Sequence, residues 1–476
     1  MRTVLSLGCF AATAAATTLE CRDCTQTINR DVVIVGGGGS GSHAAVWLRD
    51  HGVSVAVVEK SSQLGGHTAS YHDPVSGQSI NVGVQSWLEY KDSFEFPRRM
   101  NVSTSGAMQF TPNENHFIDF KTGKPVPGYV APDTGAMVAA MQKYIDVCDK
   151  YEDMIMPGYF NFPPANKIPE DLLMPFGQFV DKYGLHDAAP QLWDATAQGL
   201  GDMMAMPMLF VTQGSGSVMA RALTGETVAA TPASGRLYEL YEAVAEFLGD
   251  DVLYRSTVIS SKRTRQGVKV KVQGPDGKVT CVNAKRLLIT IEPTKENLKP
   301  FDLNHRERSI LHKWKFSTVY AGILRHPSLP VLNAYTGRTS DAGSFNYTSF
   351  PIAPQVGLIQ YLGGTEDLFQ FTAVGTAEDT AESMKARIAE AIDKLIDAGT
   401  IPGPKGVPVE FPAFANHGPM HAHVSADELR RGFIQDLYSL QGSNNMWFSG
   451  AAFSVGFSTV LWEYNKVLLP KLIKGL

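Results

Sequence analysis

Short unbroken apolar runs alternate along the chain with segments of helical period, and the first alternation is the clearest. DVVIV (31–35) is a run of β-branched residues without polar interruption, the pattern of a parallel strand buried on both faces. SHAAVWLRDH follows, placing Ala44, Ala45 and Leu48 on one helical face, with Gly52 as a left-handed stop. SVAVVEK (54–60) then repeats the strand pattern, so the chain opens its folded part with a β–α–β unit. Further on, SGRLYELYEAVAEFLG (234–249) has a helical period. Residues 252–293 alternate as a meander, with turns at Arg265-Gln266-Gly267 and Pro275-Asp276-Gly277 and a closing buried strand, RLLITI. YAGILRH and GLIQYLGGTEDLFQFTAVG supply strands for a second sheet, followed by an amphipathic helix that buries Met384, Ile388, Ile392, Leu395 and Ile396. Ser425 and Glu428 have the spacing of a capping box opening one helix, ADELRRGFIQDLYSL. The C-terminal segment 444–472 reads as a strand, a glycine turn and a last helix with Val460, Leu461, Tyr464 and Leu468 as its buried stripe.

Chemistry enters at the turn between the first strand and helix. GGGGSG places Gly36, Gly38 and Gly41 in a G-x-G-x-x-G spacing, with Gly39 and Ser40 between them. In that spacing the first glycine permits the tight turn, the second lets backbone approach a pyrophosphate, and the third lets helix and strand pack closely. The helix N-terminus supplies free N–H groups and a positive dipole end to the phosphates. Glu59, at the end of the second strand and followed by Lys60, has the position of the carboxylate that accepts from a ribose 2′-hydroxyl. The spacing alone is weak. Inside strand–turn–helix–strand–Glu it predicts a dinucleotide site.

At 476 residues the chain has room for two or three domains. A net charge of −5 gives no reason to expect nucleic acid or an anionic membrane as partner. No internal run reaches the roughly 18 apolar residues of a membrane span. Arg2, the apolar run VLSLGCFAATAAA and Ala14-Ala15-Ala16 read as a secretory signal over 1–16, so the expected location is the secretory pathway or outside the cell. Sequons at Asn101-Val102-Ser103 and Asn346-Tyr347-Thr348 are compatible with that route. Cys21 and Cys24 form a C-x-x-C that permits a local disulfide. His417, His421 and His423 lie around Gly418-Pro419 without helical spacing or a nearby carboxylate or thiolate set, so no metal is expected there, although one of them could face a cofactor as a base.

After Glu59 the chain continues with SSQLGGHTAS and NVGVQSWLEY rather than another αβ unit. Together with LQG at 440–442, GAAFS and LWEYN, these stretches resemble the fungal FAD-dependent oxidoreductases of the β-cyclopiazonate dehydrogenase kind, within the flavin amine oxidase superfamily. The resemblance covers nearly the whole chain and is thin over 101–230 and 312–420. It implies an α/β fold, with a Rossmann-type FAD-binding domain of the glutathione-reductase/amine-oxidase kind built from 31–100, 231–311 and 441–476. An α+β substrate domain over 101–230 and 312–440 is interleaved with it. It also implies that Gly65, Gly66, His67 and Thr68 pass the pyrophosphate and that Gly83, Val84 and Gln85 run beside the flavin. Val258 would hold the adenine through its backbone, Gly450 would lie near the cofactor's ribityl–phosphate region, and Phe457 and Ser458 would lie at the N1/O2 edge of the flavin. Trp87, Tyr90 and Phe453 are the candidates for lining the substrate pocket. Two departures stand out: Gly450-Ala451 replaces the usual Gly-Glu or Gly-Asp, and KFSTVYAGIL (315–324) offers no obvious match for the lysine that holds a water at flavin N5.

His67 stands where amine oxidases carry an arginine, and a similar His-Thr pair carries covalent flavin in the succinate dehydrogenase flavoprotein family. Two roles follow for His67: a covalent bond to FAD, or a hydrogen bond to its pyrophosphate. Phe-, Met- and Pro-rich segments such as FNFPPANKIPEDLLMPFGQFV and GLGDMMAMPMLFVTQGS suit an apolar pocket or plain core. The expected activity is hydride removal from a small apolar substrate, at a carbon beside nitrogen or at an activated C–C position. Oxygen or another external acceptor would then reoxidise the flavin. If the resemblance extends to substrate, an indole-type metabolite is oxidised and cyclisation follows. Two other readings stay open: a redox-neutral isomerase of polyunsaturated fatty acids, and a non-catalytic secreted flavoprotein.

Overall fold

Two seven-stranded sheets organise the computed structural model, which describes residues 24–77, 79–108, 111–339, 350–363 and 367–476. The first sheet contains β1 (Gln26–Val35) at its centre, joined by α1 (Gly39–Asp50) to β2 (Val55–Val58), which pairs parallel with it. Unbroken Val/Ile/Ala runs form these strands because both faces are covered, and Val32, Val33, Ile34, Val55 and Val57 are fully buried. Val252–Leu253 extends the sheet beyond β2 in parallel. On the other side of β1 lies the long strand Val279–Ile289. Its first half forms an antiparallel hairpin with Gly267–Gln273, and its second half pairs parallel with Met446–Phe448. Thr257–Thr264 completes the edge. Three stretches distant in sequence therefore meet in one sheet.

The second sheet runs in the order Glu410–His423, Lys315–Arg325, Phe369–Gly375, Gln355–Tyr361, Asn333–Gly337, Glu114–Asp119 and Lys124–Pro125. The helix Ala381–Asp397 covers it through Met384, Ile388, Ile392 and Leu395, with Ile396 only partly buried. Between the sheets, β3 (Thr68–His72) and β4 (Ser79–Gly83) form a small antiparallel ribbon. No helix among the described residues is long and apolar enough to cross a membrane.

Several local expectations are corrected. Cys24 is disulfide-bonded to Cys281 instead of to Cys21, with Cα atoms 5.8 Å apart. The bond is cross-strand, because β1 and Val279–Ile289 run side by side. Ser425 caps its helix by accepting from the Glu428 N–H, but Glu428 spends its carboxylate on Lys313 and Arg431, so the capping box is half made. The segment after it is two helices, Ala426–Arg430 and Phe433–Tyr438, because Gly432 between them has φ +88°. The last helix, Ser458–Ile473, has no single buried stripe. Trp462, Glu463, Asn465 and Leu469 are buried along with Val460, Tyr464 and Leu468, while Leu461 is only half-buried. Residues 1–16, Cys21 and the Asn346 sequon lie outside the described residues, and Asn101 is exposed.

The disulfide closes a loop of 257 residues, which constrains the unfolded chain far more than the folded one. Replacing both Cys24 and Cys281 with serine should lower unfolding free energy by roughly 2–4 kcal/mol. Denaturant melts compared with wild type check this, and an unchanged midpoint would contradict it.

Candidate cofactor and reaction site

The phosphate end of the site is built from backbone. α1 starts at Gly38, which is extended (φ −70°, ψ −171°) and has no side-chain cap, so the first-turn N–H groups stay available to an anion. Gly36 needs its φ of +103° to turn the chain out of β1. A methyl group on Gly41 would overlap the Gly36 carbonyl, so this glycine sets the approach of helix to strand. Facing the turn is the Gly65–Gly66 loop, also at positive φ (+108° and +56°). Gly38 and Gly65 form a parallel bridge, and a Cβ on Gly66 would sit 3.0 Å from the Gly38 Cα. Two glycine loops thus touch backbone to backbone, forming a cradle of N–H groups without side chains.

Glu59 is buried, and its carboxylate accepts from the Gly37 and Ser61 N–H groups at 2.7 Å each. Arg255 and Ser256 donate their N–H groups to the Ser61 and Glu59 carbonyls, which brings Val258 to the same end of the site. Val258 pairs opposite Val272, and the ladder slips immediately beyond it. Lys60 is exposed beside this end. Ser40 presents only its backbone, since its hydroxyl bonds Ser449, which in turn donates to Asn465. Asn465 also donates to the Ser40 carbonyl and reaches the His43 ring, locking α1 to the last helix.

From the cradle the chain runs into β3 through His67 and Thr68, and Thr68 is buried with its N–H on the Gly65 carbonyl. Gly83, at the end of β4, has φ +113°. A Cβ there would overlap the His67 carbonyl and come within 2.8 Å of the His417 imidazole. Val84 donates to the His67 carbonyl, and Gln85 folds its amide back onto Asn81 and Gly83. The His67 and His417 rings are 5.0 Å apart, edge to face. The His417 backbone acts on the His67 imidazole as a hydrogen-bonding neighbour.

Burial holds these histidines neutral. It pushes the His67 pKa below its ordinary value, the bond to His417 opposes the shift, and Lys60 adds to it. Burial and then His67 push His417 down to about 3. His421 falls to about 4 through burial, His423 and His67. His421 has φ +53°, rare for a residue with a Cβ, and fits only because Gly199 and Gly214 face its ring. Among the described residues no group of three or more His, Cys, Asp or Glu could hold a metal ion.

Gly450 (φ +109°) lies against Thr290, whose hydroxyl donates to the Gly36 carbonyl at the glycine turn. The helix from Ser458, with Phe457 as its uncapped N-terminal residue, points into the site beside Gly39. Its free N–H groups can stabilise negative charge. The three candidate pocket residues are buried: Trp87 meets Trp462 edge-on, Phe453 stacks on Phe448, and Tyr90 joins the same core, while Trp87 Nε1 and the Tyr90 hydroxyl have no hydrogen-bond partner. His417 and His421, two of the three histidines that could face a cofactor as a base, come together beside His67. The only signal was the density of histidines around Gly418-Pro419.

A dinucleotide fits these residues. The cradle would accept a diphosphate, Glu59 a ribose, and the ribbon β3–β4 with the Ser458 helix would flank a ring. The buried Nε2 of His417 has no hydrogen-bond partner. Gly38→Val should fold, because a Cβ there meets nothing nearer than the Gly66 Cα at 3.7 Å, yet lose the flavin by filling the diphosphate's path. Gly41→Val should instead misfold. Circular dichroism with bound-flavin absorbance separates the two, and a yellow Gly38→Val protein would contradict the assignment. Acid should also destabilise the fold through His43, which is 4% exposed and pushed down to about 3 by burial. Below its ordinary value of 6.5 the unfolded chain binds a proton that the folded chain refuses, so stability falls with pH. Between pH 7.5 and 5, wild type should lose about 2 kcal/mol more than His43→Gln. Parallel pH profiles of the two proteins would contradict this.

Comparison with known proteins agrees with the geometry. The model of the flavin containing amine oxidoreductase family matches residues 40–391. The FAD-dependent oxidoreductase pigF of Monascus ruber is 34% identical over 94% of this chain and 93% of its own. β-Cyclopiazonate dehydrogenase of Aspergillus oryzae is 33% identical over 98% of both chains. Among solved structures, the CLA-producing fatty acid isomerase from P. acnes superposes with a TM-score of 0.70 over 93% of this chain and 99% of its own, at 17% identity, a likeness of fold. The chain belongs to the flavin containing amine oxidoreductase family, as an FAD-dependent oxidoreductase closely related to the β-cyclopiazonate dehydrogenase-like enzymes of fungi.

Proposed function

We propose that this enzyme oxidises an apolar, uncharged secondary metabolite of the indole alkaloid type at a carbon beside nitrogen or at an activated C–C position, with cyclisation following. The observation that carries this reading is the electrostatics of the site. The imidazoles of His67, His417 and His421 are kept neutral, and the charged groups acting on the histidines are the cations Lys60 and Lys315. A cationic amine would find no counter-charge in that set. The neighbouring segments are apolar, with Met208, Leu209 and Phe210 in the helix that carries Gly214. The name β-cyclopiazonate dehydrogenase, borne by a relative over almost its full length, supports the substrate class.

Bound FAD supplies the hydride acceptor, and oxygen or another external acceptor takes the electrons onward. The chain's part is orientation and charge. The helix N-termini at Gly39 and Ser458 come side by side at the site, and the glycine cradle fixes the diphosphate.

We also infer that FAD is attached covalently through His67. A neutral imidazole keeps a lone pair on one ring nitrogen, and burial keeps the His67 ring unprotonated. Secretion is part of the same proposal, supported by the signal-like segment 1–16 and by a structural disulfide suited to an oxidising compartment.

Anaerobic mixing with prenylated indole alkaloids, aliphatic diamines and polyenoic acids should bleach the flavin only with the first group, and in air hydrogen peroxide should appear with product. Bleaching by diamines alone would overturn the substrate class, and product formed without any acceptor would mean an isomerase. For the attachment, the acid-denatured chain should retain flavin fluorescence, and His67→Ala should release FAD. Complete release of FAD from wild type would refute the bond.

A further inference from the structure

His417 has no part in binding or hydride transfer as described above, yet the fold goes to some length to place it. It lies on the edge strand Glu410–His423, which crosses from the second sheet to pack against β3 and β4. Its ring stands 5.0 Å from the His67 ring, edge to face, and its backbone neighbours that ring. Gly83 is obligatory at the meeting point, because any Cβ would press on both histidines. Its Nε2 is buried without a hydrogen-bond partner. A buried ring nitrogen without a partner costs free energy unless it has a use.

We propose that His417 is the proton acceptor for covalent attachment of the flavin, taking up on Nε2 the proton that the flavin's 8α-methyl group releases when His67 bonds to that carbon. This rests on the attachment at His67 proposed above. The balance is as follows. One C–H bond of the methyl group breaks, and its proton goes to His417. The free lone pair of His67 forms the N–C bond. The two electrons of the broken bond remain in the flavin ring until the enzyme's external acceptor removes them. The N–H proton of His67 leaves to solvent. The product is FAD bonded to the chain with a net loss of two hydrogens. Negative charge left on the ring during the step raises the affinity of the adjacent imidazole for the proton, so a base that is weak in the resting site becomes adequate when it is needed.

The test uses full-length protein prepared without flavin and then incubated with FAD in air. Covalent loading is followed by the mass of the acid-denatured chain, and total binding by quenching of free FAD fluorescence. Wild type should gain the mass of FAD less two hydrogens. His417→Gln should bind FAD with little change but load covalently about a hundredfold more slowly. His417→Ala should regain loading when imidazole is added. Loading of His417→Gln at the wild-type rate would overturn the proposal, as would His417→Ala that imidazole fails to rescue, or a His417→Gln protein that cannot bind FAD at all. A wild type that never gains mass would sink the His67 attachment itself, a failure visible without any variant.

Discussion

The contact on which the site depends is the backbone-to-backbone meeting of two glycine loops, Gly38 against Gly65 and Gly66. A diphosphate needs several N–H groups converging on one small volume. Side chains cannot be packed there without pushing those groups apart, so both loops must give up their Cβ atoms. The two loops are held together from outside the site. The turn between β1 and α1 is pinned by the Glu59 carboxylate on the Gly37 N–H, and the Gly65 N–H donates to the Gly37 carbonyl. Glu59 therefore positions the loop that holds phosphates while standing at the ribose end itself.

That arrangement requires sequence-distant pieces to arrive in register. The strand Val279–Ile289 is the common element: it lies against β1, closes a hairpin with Gly267–Gln273, and takes Met446–Phe448 along its last three residues. The last pairing delivers Gly450 against Thr290 and the Ser458 helix beside Gly39. The buried chain Ser40–Ser449–Asn465–His43 then fastens that helix to α1 with side-chain hydrogen bonds. Neutral, fully engaged polar groups suit this place better than ion pairs, which would pay heavily for desolvation beside a bound anion.

The dinucleotide half was legible from the sequence because its chemistry is local. Gly36, Gly38, Gly41 and Glu59 sit within one β–α–β unit, so spacing along the chain fixes spacing in space. The reaction half was not. His417 and His421 reach the site only because Glu410–His423 pairs with Lys315–Arg325 and packs on β3–β4, a long-range arrangement with no trace in the local pattern. Cys24 illustrates the same limit. The nearest cysteine in sequence was the obvious partner, but the parallel pairing of β1 with Val279–Ile289 put Cys281 beside it. Trp87 failed in the opposite direction. An aromatic next to a flavin-flanking glycine reads as a pocket wall, yet Trp87 is 1% exposed and packs edge-on against Trp462.

The histidine at position 67 makes sense in this frame. An arginine there would bring a permanent charge, a long flexible stem and several donors to a place where the glycine cradle already offers backbone donors. The structure leaves no comparable space. Gly83 and the His417 ring close over the residue from one side, and the Gly65 turn, which takes the Thr68 N–H, constrains it from the other. A compact ring that can be neutral, donate from one nitrogen and keep a lone pair on the other satisfies those constraints, and burial fixes the neutral state. The change from arginine to histidine thus turns a residue that holds a phosphate by charge into one that can hold the cofactor by a bond. His417 is the neighbour whose position is otherwise unexplained.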